Sequence, residues 1–448
     1  MPIRKAVRHS HRHSGPAWAS TVLVAVLAGT VASVGVIGAD LPWLVPLGSV
    51  VAAGRLPASI HAATAPSAGW HDVLAGAQLV VYGAYHGLGG RGLVLLQMLG
   101  AVAGFGLLAE GLRRQASSGA ALLVSLVVLV GAAPTVLVAR VSLFSLALFP
   151  LLVLIVQADA RRPGGRIWLA VPVIALWANL HGMVLAGVAV LGVYLVIDRA
   201  RRDPLVSASV LGASVLAVFL TPQLWLTPLY YRAVFDNVAA SRGVGLWAPL
   251  GLRPFDVVYV AAVVALLLLA RARLRLWEWV ACLGLAAESV RAARVGFFLL
   301  IVLAYPAARG MRERLPSPAL QLSVAGGLAV VAAAMLVLSN PASHAALARR
   351  AAATRQVVLA EPLQGEWVEL YGGRVWLANP IDAFRRGDQA LYLDWVAGDA
   401  SGRGAVDHAR LVLVGATSPA GRVAARDPRL RRLGAADGAV LYEVVKRA

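Results

Sequence analysis

Five arginine clusters divide an otherwise apolar chain: Arg113 with Arg114; Arg161, Arg162 and Arg166; Arg199, Arg201 and Arg202; Arg271, Arg273 and Arg275; and Arg309, Arg312 and Arg314. The runs between them are rich in Ala, Val, Leu and Gly, and apolar runs separated by short basic clusters are the mark of helices threading a bilayer. Basic residues collect on the cytoplasmic side of such helices. If all five clusters lie there, every interval between neighbours crosses the membrane an even number of times. Residues 115 to 160 and 204 to 270 have room for two crossings each, and 277 to 308 for a compact hairpin around Glu288 to Arg294. The tight interval is 167 to 198. One straight helix of that length would run about 48 Å, and two full spans need about 40 residues. A short hairpin remains, with arms of about 15 residues, or about 22 Å, and its apex falls on "WANLHG", Trp177 to Gly182. Gly182 permits the tight reversal there.

Composition agrees with a polytopic membrane protein. Of the 448 residues, 59% are hydrophobic and 14% charged, and the mean hydropathy is +0.74. A net charge of +19 could point to nucleic acid, but arginines grouped between apolar runs are explained by membrane orientation, so no nucleic-acid partner is expected. The single cysteine, Cys282, excludes internal disulfides and cysteine-based metal sites. The first apolar run, Trp18 to Gly38, follows Arg4, Lys5, Arg8 and Arg12. At about 20 residues it exceeds a signal-peptide core and reads as an uncleaved span. His9, His11 and His13 alternate on this basic arm without further ligands and read as solvated.

The expected architecture is mainly α: a basic cytoplasmic tail over 1–17, a transmembrane domain over 18–340, and a small extracytoplasmic α/β domain over 345–448. An outer loop at 39–73, an interfacial helix near 74–87, a return span near 90–111 and a last span near 319–338 complete about eleven helical passes, short hairpins included. The C-terminal domain shows β-rich runs ("VVLA", "VWLA", "LVLV", "AVLYEVV") alternating with helix-compatible stretches. It carries no dinucleotide fingerprint. Asp382 reads as a helix N-cap there, and Asp388 and Asp394 as solvated helix faces.

With this topology the unusual polar residues gather at the outer membrane boundary, while the inner loops are arginine-rich and plain. Arg140, Arg291 and Arg294 interrupt apolar sequence, and guanidinium groups suit bidentate phosphate binding. Pairing of Glu288 with Arg291, at i and i+3, explains Arg291 equally well. Asn179 and His181 at the hairpin apex either orient a ligand or satisfy the broken backbone. Asp40, directly after the first span, could act as a general base or bind a divalent ion. No residue pattern identifies a metal.

The runs "ADLPWLVPLGSVVAAGRLPASIHAATAPSAGWHDVLAGAQLVVYGAYHGLGGRGLVLLQ", "ARVSLFSLALF", "LWANLHGMVLAGV", "LTPQLW" and "ESVRAARVGFFLLIVLAYP" occur in an order that resembles the multi-span bacterial proteins grouped with GT-C glycosyltransferases. "GGRVWLANPIDAFRRGDQALYLDWVAG" is similar to the small outer domain that closes such chains. The resemblance implies a sugar donor on a polyprenyl phosphate and an acidic residue of the first outer loop assisting the acceptor. By position that role falls on Asp40, with Asp72 second, and Arg140, Asn179, His181, Arg291 and Arg294 are the substrate-binding candidates. The chain departs from the pattern at Leu246, which precedes Trp247 where related chains often carry an acid. A lipid or solute transporter and a non-catalytic envelope assembly protein stay open beside the transferase. The absence of an internal repeat weighs against the transporter.

Overall fold

The computed structural model describes residues 18–67, 69–271, 273–311, 318–338 and 345–445. The N-terminal arm with His9, His11 and His13, together with Arg312 and Arg314, lies outside them.

The helical part begins with α1 (Ala19–Ser33), which packs against α4 (Gly90–Arg113) and α16 (Pro318–Leu338). Between α1 and α4 the chain forms α2 (Leu44–Ala52) and α3 (Ala75–Leu88). The sequence predicts α3 but not α2. Next come α5 (Ser118–Gly131), α6 (Ala133–Leu137) and α7 (Leu143–Arg161). Helices α8 (Ala170–Ala178), α9 (Val184–Ile197) and α10 (Pro204–Ala217) follow, then the short α11 (Thr227–Asp236) and α12 (Val238–Arg242). The series continues through α13 (Pro254–Ala270), α14 (Leu276–Arg291) and α15 (Gly296–Gly310). Sequence punctuation sets several starts: Ser117 caps α5, and Asp203 accepts from the Val206 N–H ahead of Pro204 at the head of α10. Four helices among the described residues are long and apolar enough to cross a membrane, at Gly90–Arg113, Leu143–Arg161, Ala293–Gly310 and Pro318–Leu338. The protein is membrane-embedded and polytopic.

The interval 167–198 reverses on itself, and α7 supplies the ruler. Ser145, near the start of α7, takes Trp177 Nε1–H at 2.9 Å and meets His181 Nδ1 at 2.6 Å. Asp159, near its end, accepts from the Gly164 N–H, from Tyr194 Oη–H and from Arg199 Nε–H. Helix α8 therefore climbs along α7 and α9 descends it, between points about 21 Å apart at 1.5 Å per residue.

The arginine-bearing end of the bundle is not plain, contrary to the sequence reading. Glu278, fully buried, accepts from Gln157, from Arg309 and from the Arg275 N–H. Arg309 also reaches Gln115, whose amide reaches Gln157. These groups stand far apart in sequence, so their pairing is invisible until the helices are assembled. The buried carboxylates there, Glu278 and Asp159, are paired with Arg309 and Arg199, which is what burial demands.

At the opposite end the chain makes two sheets. Strands β1 (Val36–Ile37) and β2 (Val138–Ala139) pair in parallel, with Ile37 opposite Ala139. The C-terminal residues form a five-stranded sheet in the order β4 (Arg374–Val375), β3 (Val357–Ala360), β5 (Leu411–Gly415), β7 (Ala439–Val444), β6 (Leu430–Ala436). The first three strands are mutually parallel and the last two join antiparallel. Helices α17 (Ala346–Ala353), α18 (Pro362–Leu370), α19 (Arg386–Ala397) and α20 (Pro419–Ala424) flank this sheet. The four β-rich runs seen in the sequence each contribute to it, and β6 adds a strand that the pattern does not mark.

This sheet is not free-standing. The loop before α3 pairs with its edge: Thr64 and Ala65 donate to the Val375 and Trp376 carbonyls, and Val375 donates to Ala62. One apolar core holds Leu41, Trp43 and Leu44 of the loop together with Val358, Leu359 and Trp367 of the C-terminal unit. The edge strand β4 is thereby covered rather than exposed. Asp382 is not an N-cap, because α19 starts after Arg385. Its carboxylate instead receives Trp70 Nε1–H at 3.3 Å. Asp394 likewise leaves solvent to pair with Arg242.

Candidate functional site

The β1–β2 pairing has a direct consequence for the side chains that follow it. Parallel register carries the chain from Ile37 to Asp40 alongside the chain from Ala139 to Arg140, and Arg140 Nη1 lies 3.8 Å from Asp40 Oδ2. Gly38 allows this close approach: a Cβ there would stand 2.4 Å from Val138 Cγ1 and 3.0 Å from Arg140 Nε. Asp40 itself has φ of 80°, a left-handed conformation that costs a non-glycine residue about 1–2 kcal/mol. Its N–H is held by Glu366 of α18, at 2.8 Å from Oε1 and 3.0 Å from Oε2. Asn379 Nδ2–H in turn donates to Glu366 Oε1 at 2.6 Å.

Asp40 borders a cavity of about 340 Å³ whose polar wall carries Arg140, Ser145, His181 and Arg294, and whose apolar wall includes Leu246, Phe255, Phe297 and Phe298. Arg294 stacks its guanidinium on the Trp247 ring, 3.9 Å from the centroid. Its Nε–H is buried and has no hydrogen-bond partner among the described residues. A buried, unsatisfied cation donor costs free energy unless an anionic acceptor occupies the space beside it. His181 meets Ser145 through Nδ1. Ser145 Oγ accepts from Trp177, and if its own proton goes to His181 Nδ1, then Nε2 is the protonated nitrogen of a neutral ring.

Burial pushes the Asp40 carboxyl up from its ordinary value, and the positive charges of Arg140 and Arg294 oppose the rise. Burial also raises Glu366 well above the usual range, assisted by the negative charge of Asp40. Asp72 and Asp382 are each pushed up to about 6, chiefly by burial, and Glu369 by burial to about 8.

Of the seven residues singled out in the sequence, Asp40, Arg140, His181 and Arg294 share this cavity. The other three do not line it. Asp72 is turned inward, accepting from the Leu74 N–H and from Gln78 Nε2–H at the head of α3. Asn179 donates to the Ala175 and Leu220 carbonyls, so it ties the hairpin apex to the loop after α10. Arg291 is exposed and pairs with Glu288 at 3.4 Å, the helical i, i+3 contact. Residues that the sequence did not single out also contribute: Ser145 beneath His181, Trp247 beneath Arg294, Tyr259 in the cavity wall, and Glu366 behind Asp40. Trp247 carries a visible signal in "GVGLWAPL". Glu366, in "EWVEL", carries none, because a glutamate in a short amphipathic helix looks solvated.

Among the described residues no group of three His, Cys, Asp or Glu side chains is placed to hold a metal ion. The donor set around Asp40 does not suit a divalent cation: its side chain faces guanidinium groups rather than further oxygen ligands.

No protein-family model matches the sequence, and no curated protein matches it. Solved structures do match in fold. ArnT from Cupriavidus metallidurans bound to undecaprenyl phosphate superposes with a TM-score of 0.52 over 94% of this chain and 97% of that one, at 13% identity. The same protein in the apo state gives 0.50 over 94% and 96%, at 12% identity. The arabinofuranosyltransferase AftD from Mycobacteria gives 0.50 at 15% identity, over 96% of this chain but 41% of that one. This chain therefore spans less than half of AftD. The fold is that of the GT-C glycosyltransferases.

Proposed function

We propose that the chain is a membrane glycosyltransferase that moves a sugar from a polyprenyl-phosphate-linked donor to an acceptor at the outer face of the cytoplasmic membrane. The observation that carries this reading is the shared cavity of Asp40, Arg140, His181 and Arg294, a cluster of charged and polar groups set in a mostly apolar lining. A carboxylate beside two guanidiniums suits a reaction that takes a proton at one point and stabilises a departing phosphate at another. Undecaprenyl phosphate bound to ArnT, a protein of the same fold, supports a lipid-linked donor.

In this reading Asp40 accepts the proton of the acceptor hydroxyl as its oxygen bonds to the sugar's anomeric carbon. The bond from that carbon to the phosphate oxygen breaks, and polyprenyl phosphate leaves. Arg294 and Arg140 neutralise the phosphate, and His181 Nε2–H donates to one of its oxygens. The flat, stacked guanidinium of Arg294 is pre-organised for this, with a donor already out of water. The phenyl rings of Phe297 and Phe298 offer the apolar wall that a prenyl chain needs. About eleven passes, a cytoplasmic N-terminus and an extracytoplasmic C-terminal domain belong to the same proposal.

The test is release of polyprenyl phosphate from a panel of polyprenyl-phosphate-linked sugars by the purified full chain in proteoliposomes. Asp40→Asn removes a proton acceptor at constant volume and should lower turnover by roughly 10² to 10⁴. Unchanged turnover would overturn the assignment, since Asp72 is bonded inward and offers no substitute. Leu246, apolar and in the cavity wall at a position where the family resemblance implies an acid, favours a second reading as a non-catalytic assembly protein. That reading gains if no donor in the panel is turned over and the C-terminal unit captures an envelope partner independently of Asp40.

A further inference from the structure

We infer that Glu366 is a positioning residue for Asp40, so that the catalytic cavity is complete only when α18 of the C-terminal unit is docked behind the first loop. The inference rests on the reading of Asp40 as the proton acceptor, and deepens it.

The geometry is specific. Asp40 occupies a backbone region that side-chain-bearing residues avoid, and such a conformation persists only where its surroundings over-determine it. Three constraints converge on it. The β1–β2 pairing fixes the chain up to Gly38, whose N–H donates to Ala139. Arg140 draws the side chain from the cavity side. Glu366 takes the backbone N–H from the opposite side, with both carboxyl oxygens within 3.0 Å. Only the third comes from outside the helical part of the fold, across a sequence separation of 326 residues.

Glu366 is itself held. It is fully buried, Asn379 donates to its Oε1, and its backbone belongs to α18, which packs against β3 and α17. Oε1 is the atom that both donors approach most closely, at 2.6 and 2.8 Å. A neutral carboxylic acid with Oε1 as its carbonyl satisfies both, and so does a glutamine whose Oε1 keeps that place while its Nε2 turns off the Asp40 N–H. An alanine satisfies neither, and leaves the Asp40 N–H and the Asn379 amide buried without acceptors. The side chain thus acts on Asp40 through an oxygen in one place rather than through a negative charge, which a glutamine rescue can test.

The experiment uses the purified full chain in nanodiscs with Cys282→Ala and a reporter thiol at Ala39→Cys, next to Asp40. Glu366→Ala should raise the maleimide labelling rate of that thiol by about tenfold, as expected when a buried hydrogen bond holding a turn is lost. Glu366→Gln should leave the rate within about twofold. In the same panel of polyprenyl-phosphate-linked sugars, without the thiol substitution, Glu366→Ala should lower kcat by about 10 to 100-fold with KM little changed, because Asp40 is misplaced while Arg294 still holds phosphate. Glu366→Gln should restore most of that kcat. Labelling unchanged in Glu366→Ala overturns the inference. So does a normal kcat in Glu366→Ala alongside a dead Asp40→Asn, which would show that the functional reading stands and the positioning role does not. An active Asp40→Asn would instead remove the functional reading itself, and the inference with it.

Discussion

Arg294 combines three properties on one side chain: a stacking partner in Trp247, a charge partner in Asp40, and a buried Nε–H with no acceptor among the described residues. Arg294→Lys keeps the charge but loses the planar fork and the stacking face. It should raise KM for polyprenyl-phosphate-linked donors by about tenfold or more while the melting temperature changes little. His181 and Asn179, two residues apart at one apex, should separate cleanly. Asn179→Ala removes donors to two backbone carbonyls and should cost about 1–2 kcal/mol of stability. His181→Ala takes the ring from the buried Ser145 hydroxyl and should cost about 1–3 kcal/mol of stability, but unlike Asn179→Ala it should also lower turnover strongly. Equal effects of the two substitutions on both readouts would contradict the placement described here. Residue chemistry was legible where an arginine or histidine interrupts apolar sequence, since such groups must be explained. It was illegible for Glu366 and Ser145, whose roles come from partners that only the fold supplies. Arg291 and Asp72 looked equivalent to their neighbours in sequence, and only direction distinguishes them.

At the scale of elements, the hairpin of α8 and α9 was readable because membrane thickness is a fixed ruler. Too few residues lie between two basic clusters for any other solution. Single cysteines replacing Gly164 or Arg202 in a Cys282→Ala background should both resist a membrane-impermeant thiol reagent in intact cells, since both flank the same end of α7. Labelling at only one of them would break the even number of crossings. The two-residue strands β1 and β2 were not readable. Each is too short to show alternation, and their partnership joins positions about a hundred residues apart. Yet this pairing sets Asp40 against Arg140, and Gly38 is one of its tight points. Gly38→Ala would press a methyl group against Val138 and Arg140. Overpacking of this kind costs about 1–3 kcal/mol. The loss of turnover should exceed that of a substitution of similar cost elsewhere, such as Asn179→Ala, because the distorted segment carries the carboxylate proposed to take the proton.

For the molecule as a whole, the change in composition near Arg355 marked where the sheet would begin, but nothing in it revealed that the sheet shares its core with the first loop. That shared core carries an unusual number of carboxyl groups out of water, and this makes the assembly sensitive to pH. Glu369 is nearly fully buried, one of its oxygens has no partner among the described residues, and burial raises its pKa to about 8. Asp72 and Asp382 are raised to about 6. In each case the folded form binds a proton that the unfolded chain has already released above about pH 4. Stability from these groups is therefore fully present below pH 4, declines as pH rises through 6 for the aspartates and 8 for Glu369, and is constant beyond. The melting temperature of the detergent-solubilised chain should accordingly fall between pH 5 and pH 8. Other groups titrate over the same range, so the decisive comparison is with Glu369→Gln, which stays neutral at every pH. That variant should melt near the parent at pH 5, where Glu369 is protonated in the fold, and clearly above it at pH 8, where the parent must either ionise a buried acid or hold its proton against solvent. The gap should correspond to a few kcal/mol, at roughly 1.4 kcal/mol for each unit between the unfolded pKa and the working pH. A gap that does not widen from pH 5 to pH 8 would mean that Glu369 reaches water, and that the C-terminal unit sits on the first loop less tightly than one continuous core requires.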